Sequence, residues 1–368
     1  MNKRVIIAVT NDLSGDQRIH KVAVSLIGLG YEPVLAGRLL PESSVLTRIY
    51  KCKRFRIPAR KGPLFYILFN IRLFFYLLFS RAGLFLANDL DTLPAVFLAG
   101  FIRRKKVVYD SHEYFTEVPE LVGRPRVKSV WEFIEKLIFP HLKWVYTVNR
   151  SIANIYAVKY GVQVGVIRNV PFAQRPIPVI GVLPQGFTDG PVIMYQGAVN
   201  VGRGLEEVIR AMPMMPDCRF LIAGDGDIRK LLENLVKELD LGNRIHFTGR
   251  VPFEELSWYT KQATLGISLE QDIGLNYHYA LPNKLFDYLH AGIPVIASDL
   301  PEIRQVVEDT QAGFIVDRFD PESLSQTILS ILNNGELMKT WRQNALASAP
   351  QYIWEKEQEV LMTYFPPL

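Results

Sequence analysis

The chain has 368 residues, 49% of them apolar and 21% charged, with 42 Lys and Arg against 37 Asp and Glu for a net charge of +5. That length suits two domains, and the balance excludes a disordered or collagen-like chain. Cys52 and Cys218 lie far apart with no partner motif, which excludes a disulfide framework or a zinc site and fits a reducing compartment.

In chain order, residues 5–10 read as a strand, since the apolar run of MNKRVIIAVT is too short for a signal peptide. A helix over 16–29, closed by Gly30, and a strand over 33–36 follow. Strands at 84–87 and 106–109 flank an apolar helix at 95–101. Helices at 131–138 and 152–160, with strands at 144–148 and 164–167, complete a first α/β unit. Residues 171–191 hold five prolines without periodicity and read as a linker. The rhythm then restarts with strands at 192–195, 219–223, 245–248, 265–268 and 293–297. Helices at 205–212, 228–239, 253–260, 302–307 and 322–333 alternate with them, along with the helix inside LPNKLFDYLHAGIPVIAS (281–298). A last helix over 352–364 returns to the first domain. This alternation predicts parallel sheets wound on both faces.

Charge is uneven. Residues 1–170 carry 26 basic and 12 acidic side chains, and residues 171–368 carry 16 and 25. A basic half points to an anionic partner. Within it, GPLFYILFNIRLFFYLLFSR (62–81) is dense in Phe, Leu and Tyr. Its apolar core contains Asn70 and Arg72 and is shorter than the roughly 20 residues of a spanning helix. With the basic KCKRFRIPARK (51–61) before it, it suggests a monotopic anchor on an anionic membrane surface. The competing reading is a core helix beside an exposed basic loop.

Two stretches carry phosphate-facing chemistry. In LPNKLFDYLHAGIPVIAS, Pro282 suits a first helical turn, whose backbone N–H groups and positive dipole end attract phosphate. Asn283 adds donors, Lys284 adds charge, and Asp287 can accept from a pair of sugar hydroxyls. In YQGAVNVGRGLEEVIRAM (195–212), Gly197, Gly202 and Gly204 let a backbone approach a ligand, and Arg203 can fork onto a diphosphate. A capped surface helix facing water is the plainer reading of the first stretch. Neither a Walker loop nor a GxGxxG fingerprint occurs. Both elements follow strands, so both can face one crevice and hold a nucleoside diphosphate with an attached sugar.

Those stretches, with NDLSGDQRIHKVAVSLIGLGYEP, VVYDSHEYF, YTVNRSIANIYAVKYG, VIRNVPF, FLIAGDGD and RIHFTGRVPFEEL, resemble the family 4 retaining glycosyltransferases nearly end to end. The resemblance implies an α/β GT-B fold, two facing Rossmann-like domains with parallel sheets and a cleft between them. Residues 1–170 correspond to the acceptor-side domain, on which a C-terminal helix (353–368) packs back, and 171–352 to the nucleotide-sugar donor domain. It implies a donor activated as a nucleoside diphosphate, no metal and no cofactor. Diphosphate contacts map onto Gly15, Gly197, Arg203, Asn283 and Lys284, and ribose binding onto Asp287. The family's other Glu falls on Tyr279 and its usual Arg on Ala198, both departures. Glu270, Tyr279 and Arg250 are left as contacts to sugar or base. His112, with Glu113 beside it, maps to the catalytic position near the departing phosphate. Asp16 and Arg18 map toward the acceptor, although Asp16 is also a natural helix N-cap. Asp89 and Asp91 resemble a metal-binding DxD, but Asp91 is placed to cap the next helix, and no metal is expected.

The resulting expectation is a retaining hexosyltransferase acting on a saccharide or lipid-linked acceptor in cell-surface glycan synthesis, such as lipopolysaccharide or capsule precursors. It would be cytoplasmic and peripheral on the inner face of the cytoplasmic membrane, with no nucleic-acid partner. The alternatives are a nucleotide-sugar epimerase on the same fold and an inactive membrane-attached binding subunit.

Overall fold

The apolar run near the start of the chain becomes an inner strand of a sheet. The structure, a computed structural model, describes residues 3–13, 16–41, 43, 45–121, 123–174 and 183–368. Residues 175–182 of the proline-rich linker, and Gly15, therefore lie outside the described residues. β1 (Arg4–Asp12) buries five consecutive residues, as a parallel strand covered on both faces should. Then come α1 (Gln17–Gly28), β2 (Glu32–Arg38), β3 (Lys51–Phe55), α2 (Pro63–Leu78), β4 (Leu84–Asn88) and α3 (Leu93–Arg103). β5 (Lys106–Ser111), α4 (Pro125–Ile138), β6 (Val145–Thr147), α5 (Arg150–Tyr160) and β7 (Val164–Val166) follow. The seven strands form one parallel sheet in the order β3-β2-β1-β4-β5-β6-β7.

A second sheet is built from β8 (Val192–Gln196), α6 (Leu205–Ala211), β9 (Arg219–Ala223), α7 (Arg229–Glu238), β10 (Ile245–Gly249), α8 (Phe253–Lys261) and β11 (Leu265–Ser268). It continues through α9 (Leu275–His278), α10 (Asn283–Ala291), β12 (Val295–Ser298), α11 (Pro301–Thr310), β13 (Gly313–Val316), α12 (Pro321–Leu332) and α13 (Gly335–Ser348). Its six parallel strands run β10-β9-β8-β11-β12-β13. The elements α9, β13 and α13 have no counterpart in the sequence-derived order. α9 is a single turn and β13 a short, half-exposed strand, both too brief to show periodicity.

The chain divides into two compact units, Met1–Asn169 with Trp354–Leu368, and Val170–Ile353. The final helix, α14 (Trp354–Tyr364), joins the first unit through specific contacts. Trp354 is fully buried, with its indole N–H donating to Ser25 Oγ at 2.8 Å. Glu357 pairs with Arg168 at 2.7 Å, and the Tyr364 hydroxyl donates to the Val145 carbonyl at 2.9 Å.

The structure corrects two local expectations in the first unit. The basic stretch is not wholly a loop: Lys51–Phe55 is the edge strand β3, with Lys51 and Lys53 exposed and Phe55 buried. Lysines on an edge strand oppose pairing with another chain. Asp91 does not cap α3. The Thr10 hydroxyl takes its carboxylate at 2.5 Å, and Asn70 of α2 supplies the cap instead. Asn70 Oδ1 accepts from Ala95 N–H at 3.1 Å, while its Nδ2 donates to the Asp91 carbonyl at 2.7 Å. The polar residue in the middle of the aromatic helix thus ties α2 to α3. Phe65, Phe69, Leu73 and Leu77, one per turn, are the buried side of that helix.

Replacing Trp354 with Ala removes a large core side chain and orphans Ser25. It should destabilise the first unit by about 3–5 kcal/mol, read as an earlier urea transition. An unchanged transition would show that α14 contributes little to that core.

Candidate functional site

Where strand order reverses in a doubly wound sheet, the loops leaving the carboxyl ends diverge and open a crevice. In the second unit the reversal lies between β8 and β11. The loop after β8 is glycine-rich because it must be. Gly204 caps α6 with φ 70°, and a Cβ there would fall 2.4 Å from Leu269 Cβ and 2.7 Å from the Leu269 carbonyl oxygen. That close approach seats Arg203 against the residues that follow β11.

Glu270, two residues beyond β11, is 1% exposed. Its Oε1 receives Lys284 Nζ at 2.5 Å and Arg203 Nη1 at 3.4 Å, and its Oε2 receives Ser268 Oγ at 2.7 Å. Arg203 also packs over the Tyr277 ring at 4.7 Å, and Lys284 over the Tyr195 ring at 4.2 Å. Burial pushes the Glu270 carboxyl up, but Lys284 and Arg203 outweigh it and hold Glu270 below the usual range. Burial brings Lys284 down to about 8, against the pull of Glu270 and with the help of Arg203. Two cations therefore share one carboxylate, which leaves a net positive site for an anion. Gly197 stands beside it: a Cβ there would lie 3.9 Å from Lys284 Cε.

Lys284 and Asp287 fall three residues apart on one face of α10. Pro282 stands just outside that helix as its N-cap, and Asn283 opens it and is exposed. Gln196 Nε2 donates to Asp287 Oδ2 at 2.8 Å, and Thr260 Oγ1 donates to Gln196 Oε1 at 2.7 Å. A carboxylate only accepts, so the amide nitrogen must face Asp287 and its oxygen Thr260. The sequence reading missed Gln196, Thr260 and Ser268. A signal existed for two of them: Gln196 and Ser268 are polar residues ending buried parallel strands, where doubly wound folds place ligands. Tyr279 is the C-cap of α9 and meets His278 edge-on at 4.7 Å. Tyr277 is the α9 tyrosine that meets Arg203. Arg250 is exposed just beyond β10.

In the first unit the reversal lies between β1 and β4. His112 follows β5, with Nε2 3.1 Å from Asp110 Oδ2 and Nδ1 3.6 Å from Asp89 Oδ2. Its backbone N–H donates to Asp89 Oδ1 at 2.8 Å. Asp89 adopts φ 58°, a left-handed conformation that Asp tolerates better than most residues. Burial opposes a charge on the imidazole, but Asp110 and Asp89 overcome it and raise His112 to about 9. Asp110 is fully buried, which raises it, yet Arg18 and His112 bring it to about 2. Burial moves Asp89 up to about 6 and Asp91 up to about 7, Asp89 adding its charge to the latter.

Arg18 corrects its expected role toward an acceptor. It is 3% exposed, donates to Asp110 at 2.7 and 3.0 Å and to the Ile167 carbonyl at 2.8 Å. Its guanidinium is spent inside the sheet edge, holding Asp110 for His112. Asp16 caps α1, accepting from Ile19 N–H at 3.0 Å and from Asn11 Nδ2 at 3.1 Å. Glu113 is exposed, and its carbonyl accepts from Ser111 Oγ at 2.8 Å. Among the described residues, no group of three or more His, Cys, Asp or Glu side chains is arranged to hold a metal ion.

Two parallel-sheet Rossmann-like units with such sites have the GT-B glycosyltransferase fold. Residues 184–347 match the family described as Glycosyl transferases group 1. The chain is 27% identical over 165 residues to an alpha-D-kanosaminyltransferase of Streptomyces kanamyceticus, spanning 44% of this chain and 41% of that one. It covers less than half the length of the first curated relatives that it matches. Sucrose-phosphate synthase from Thermosynechococcus elongatus superimposes with a TM-score of 0.76 at 18% identity, over 99% of this chain and 98% of that one. The Anabaena protein HepE in complex with UDP-glucose does so with a TM-score of 0.73 at 16% identity, over 99% of this chain and all of that one, 100%.

The raised pKa of His112 makes its charge a pH-dependent source of stability. A folded value near 9 lies above the ordinary value of about 6.5, so the contribution is complete below about 6.5 and is lost as pH rises through about 9. Asp110→Asn should return His112 toward the ordinary histidine range in an NMR titration and should destabilise the fold by about 3–5 kcal/mol by stranding Arg18. An unmoved His112 titration would remove Asp110 from that role.

Proposed function

We propose that the chain is a retaining glycosyltransferase that moves a sugar from a nucleoside diphosphate donor to a saccharide or lipid-linked acceptor. The observation that carries this reading is the Lys284–Glu270–Arg203 cluster beside Asp287, at the strand-order reversal of the unit that matches the group 1 glycosyltransferases. HepE, of the same fold, binds UDP-glucose, which supports a nucleotide-sugar donor here. Lys284 and Arg203 would receive the diphosphate, with Gly197 and Asn283 beside it. Asp287, oriented by Gln196 and Thr260, would accept from the ribose diol.

In the reaction, the bond from the anomeric carbon to the β-phosphate oxygen breaks, and the acceptor hydroxyl forms its bond on the same face. Its proton passes to the departing phosphate, so no side-chain nucleophile is required. Lys284 and Arg203 stabilise the charge that develops on the leaving group. His112, protonated at neutral pH, would add a cationic donor toward the transferred group. The first unit would hold the acceptor. Its basic excess suits an acceptor presented at the inner face of the cytoplasmic membrane, in the synthesis of a cell-surface glycan.

A thermal-shift screen against UDP, GDP, ADP, CMP and TDP, with and without magnesium, tests the donor site, because a ligand that binds only the folded state raises its melting temperature. One diphosphate should stabilise the chain without metal. Arg203→Ala and Lys284→Ala should each weaken its binding roughly tenfold to a hundredfold, the range for a lost charge-assisted hydrogen bond. Unchanged affinity in both variants overturns the site. Turnover of a nucleotide-sugar with no acceptor added would point instead to an epimerase.

The same site predicts a pH dependence. Lys284 titrates near 8 in the unliganded chain, and diphosphate favours its charged form. Affinity should therefore be level below pH 8 and fall above it. Lys284→Arg, charged throughout, should flatten that profile in a calorimetric titration. A fall that persists in Lys284→Arg would assign the dependence to another group.

A further inference from the structure

We propose that a groove at the amino-terminal edge of the first unit's sheet, with the exposed ends of α2 and α3 beside it, docks on an anionic lipid bilayer. This deepens the functional reading, on which it rests for an acceptor held at a membrane, and it names the face that would meet the lipid.

The groove, of about 560 Å³, lies where α3 ends and where β5 and β6 begin. Phe101 is 74% exposed, Ile102 52% and Trp144 39%. Arg104, Lys105 and Lys143 line the groove with them, and no carboxylate does. Among the described residues, no salt bridge engages those three cations. Lys106 is engaged locally. Its ammonium sits 3.6 Å above the Trp144 ring and donates to the Tyr364 carbonyl at 2.7 Å, which fixes the indole at the groove mouth.

The apolar surface continues onto α2. Arg103 donates to the Leu77 carbonyl at 2.9 Å and to Ser80 Oγ at 3.0 Å, joining the carboxyl ends of α2 and α3. Phe75 and Phe79, 52% and 79% exposed, belong to that end. Residues 51–88 contain eight Lys and Arg and no acidic residue. Exposed aromatic and aliphatic side chains set beside Arg104, Lys105 and Lys143 match the chemistry of an anionic membrane interface, where apolar groups enter the head-group boundary and cations meet lipid phosphate. A protein partner fits less well, since protein interfaces are depleted in Lys. No helix among the described residues is long and apolar enough to cross a membrane, so the contact would lie in the interface. His112 follows the opposite end of β5, whose six residues span roughly 20 Å. Docking at the groove therefore leaves the His112 edge open.

Sedimentation with vesicles tests this. Wild type should co-sediment with phosphatidylglycerol in phosphatidylcholine, less so as ionic strength rises, and not with phosphatidylcholine alone. The double variant Phe101→Ser/Ile102→Ser should lose roughly tenfold or more in partitioning. Lys105→Glu/Lys143→Glu should lose the preference for the anionic lipid. Trp emission should shift to the blue on binding, and Trp144→Phe should remove that shift. All these positions belong to the first unit and none is among the donor-site residues of the second, so nucleotide-induced thermal shifts should be unchanged. Failure of the docking face and failure of the donor site are thus read separately. Equal partitioning of wild type and Phe101→Ser/Ile102→Ser overturns the proposal. So does an absence of wild-type binding to anionic vesicles. If Phe101→Ser/Ile102→Ser instead turns a dimer into a monomer in analytical ultracentrifugation, with no vesicle binding in either form, the face pairs two copies of this chain and the proposal fails.

Discussion

The second unit's site depends on one buried carboxylate. Glu270 has almost no solvent contact, yet it carries both Lys284 and Arg203. Neither cation is easily held near an apolar sheet edge alone, because burying a lone charge is costly. The carboxylate lets both be present, and the three groups together carry one net positive charge. That arrangement suits an anion that binds and leaves, since a fully neutralised pair would have little to offer it. The depressed pKa of Lys284 records how hard the burial works against it.

The first unit uses the same arrangement, one buried carboxylate between two cations. There, Asp110 is the buried charge, Arg18 neutralises it from inside the sheet, and His112 sits on its outer side. The outcome is an imidazolium maintained at neutral pH. Both clusters lie beyond the carboxyl ends of parallel strands, near the point where strand order reverses. The location follows from backbone geometry: neighbouring loops diverge there, and polar side chains ending apolar strands reach the opening.

The opposite edge of the first sheet has a different character. Its side chains are cationic and apolar, and the aromatic density of α2 serves two ends. One side of the helix, Phe65 to Leu77, is core, and Phe75 and Phe79 are exposed. Asn70, which interrupts the apolar run, anchors α2 to the start of α3. Interior packing and an outward apolar surface are thus both written into one segment.

Much of this was legible from residue order. Alternating apolar strands and amphipathic helices fixed the α/β class, because strand and helix periods of burial leave local patterns. Arg203, Lys284 and Asp287 stood out because each lies in a short stretch with its own turn chemistry. Contacts between residues distant in sequence were not legible. Nothing local links Arg18 to Asp110, Asn70 to Ala95, or Gln196 to Asp287, 91 positions away. Arg18 looked available and is buried. Asp91 looked like a cap and is claimed by Thr10. Glu270 could be named as a candidate, but its hold on two cations appears only when β8, β11 and α10 are brought to one edge. Residue order dictated the elements and the chemical types at their ends. Which charges meet, and which are buried, was settled by the packing of the chain in three dimensions, because Coulomb energy and desolvation depend on distance and solvent access in space, and sequence separation records neither.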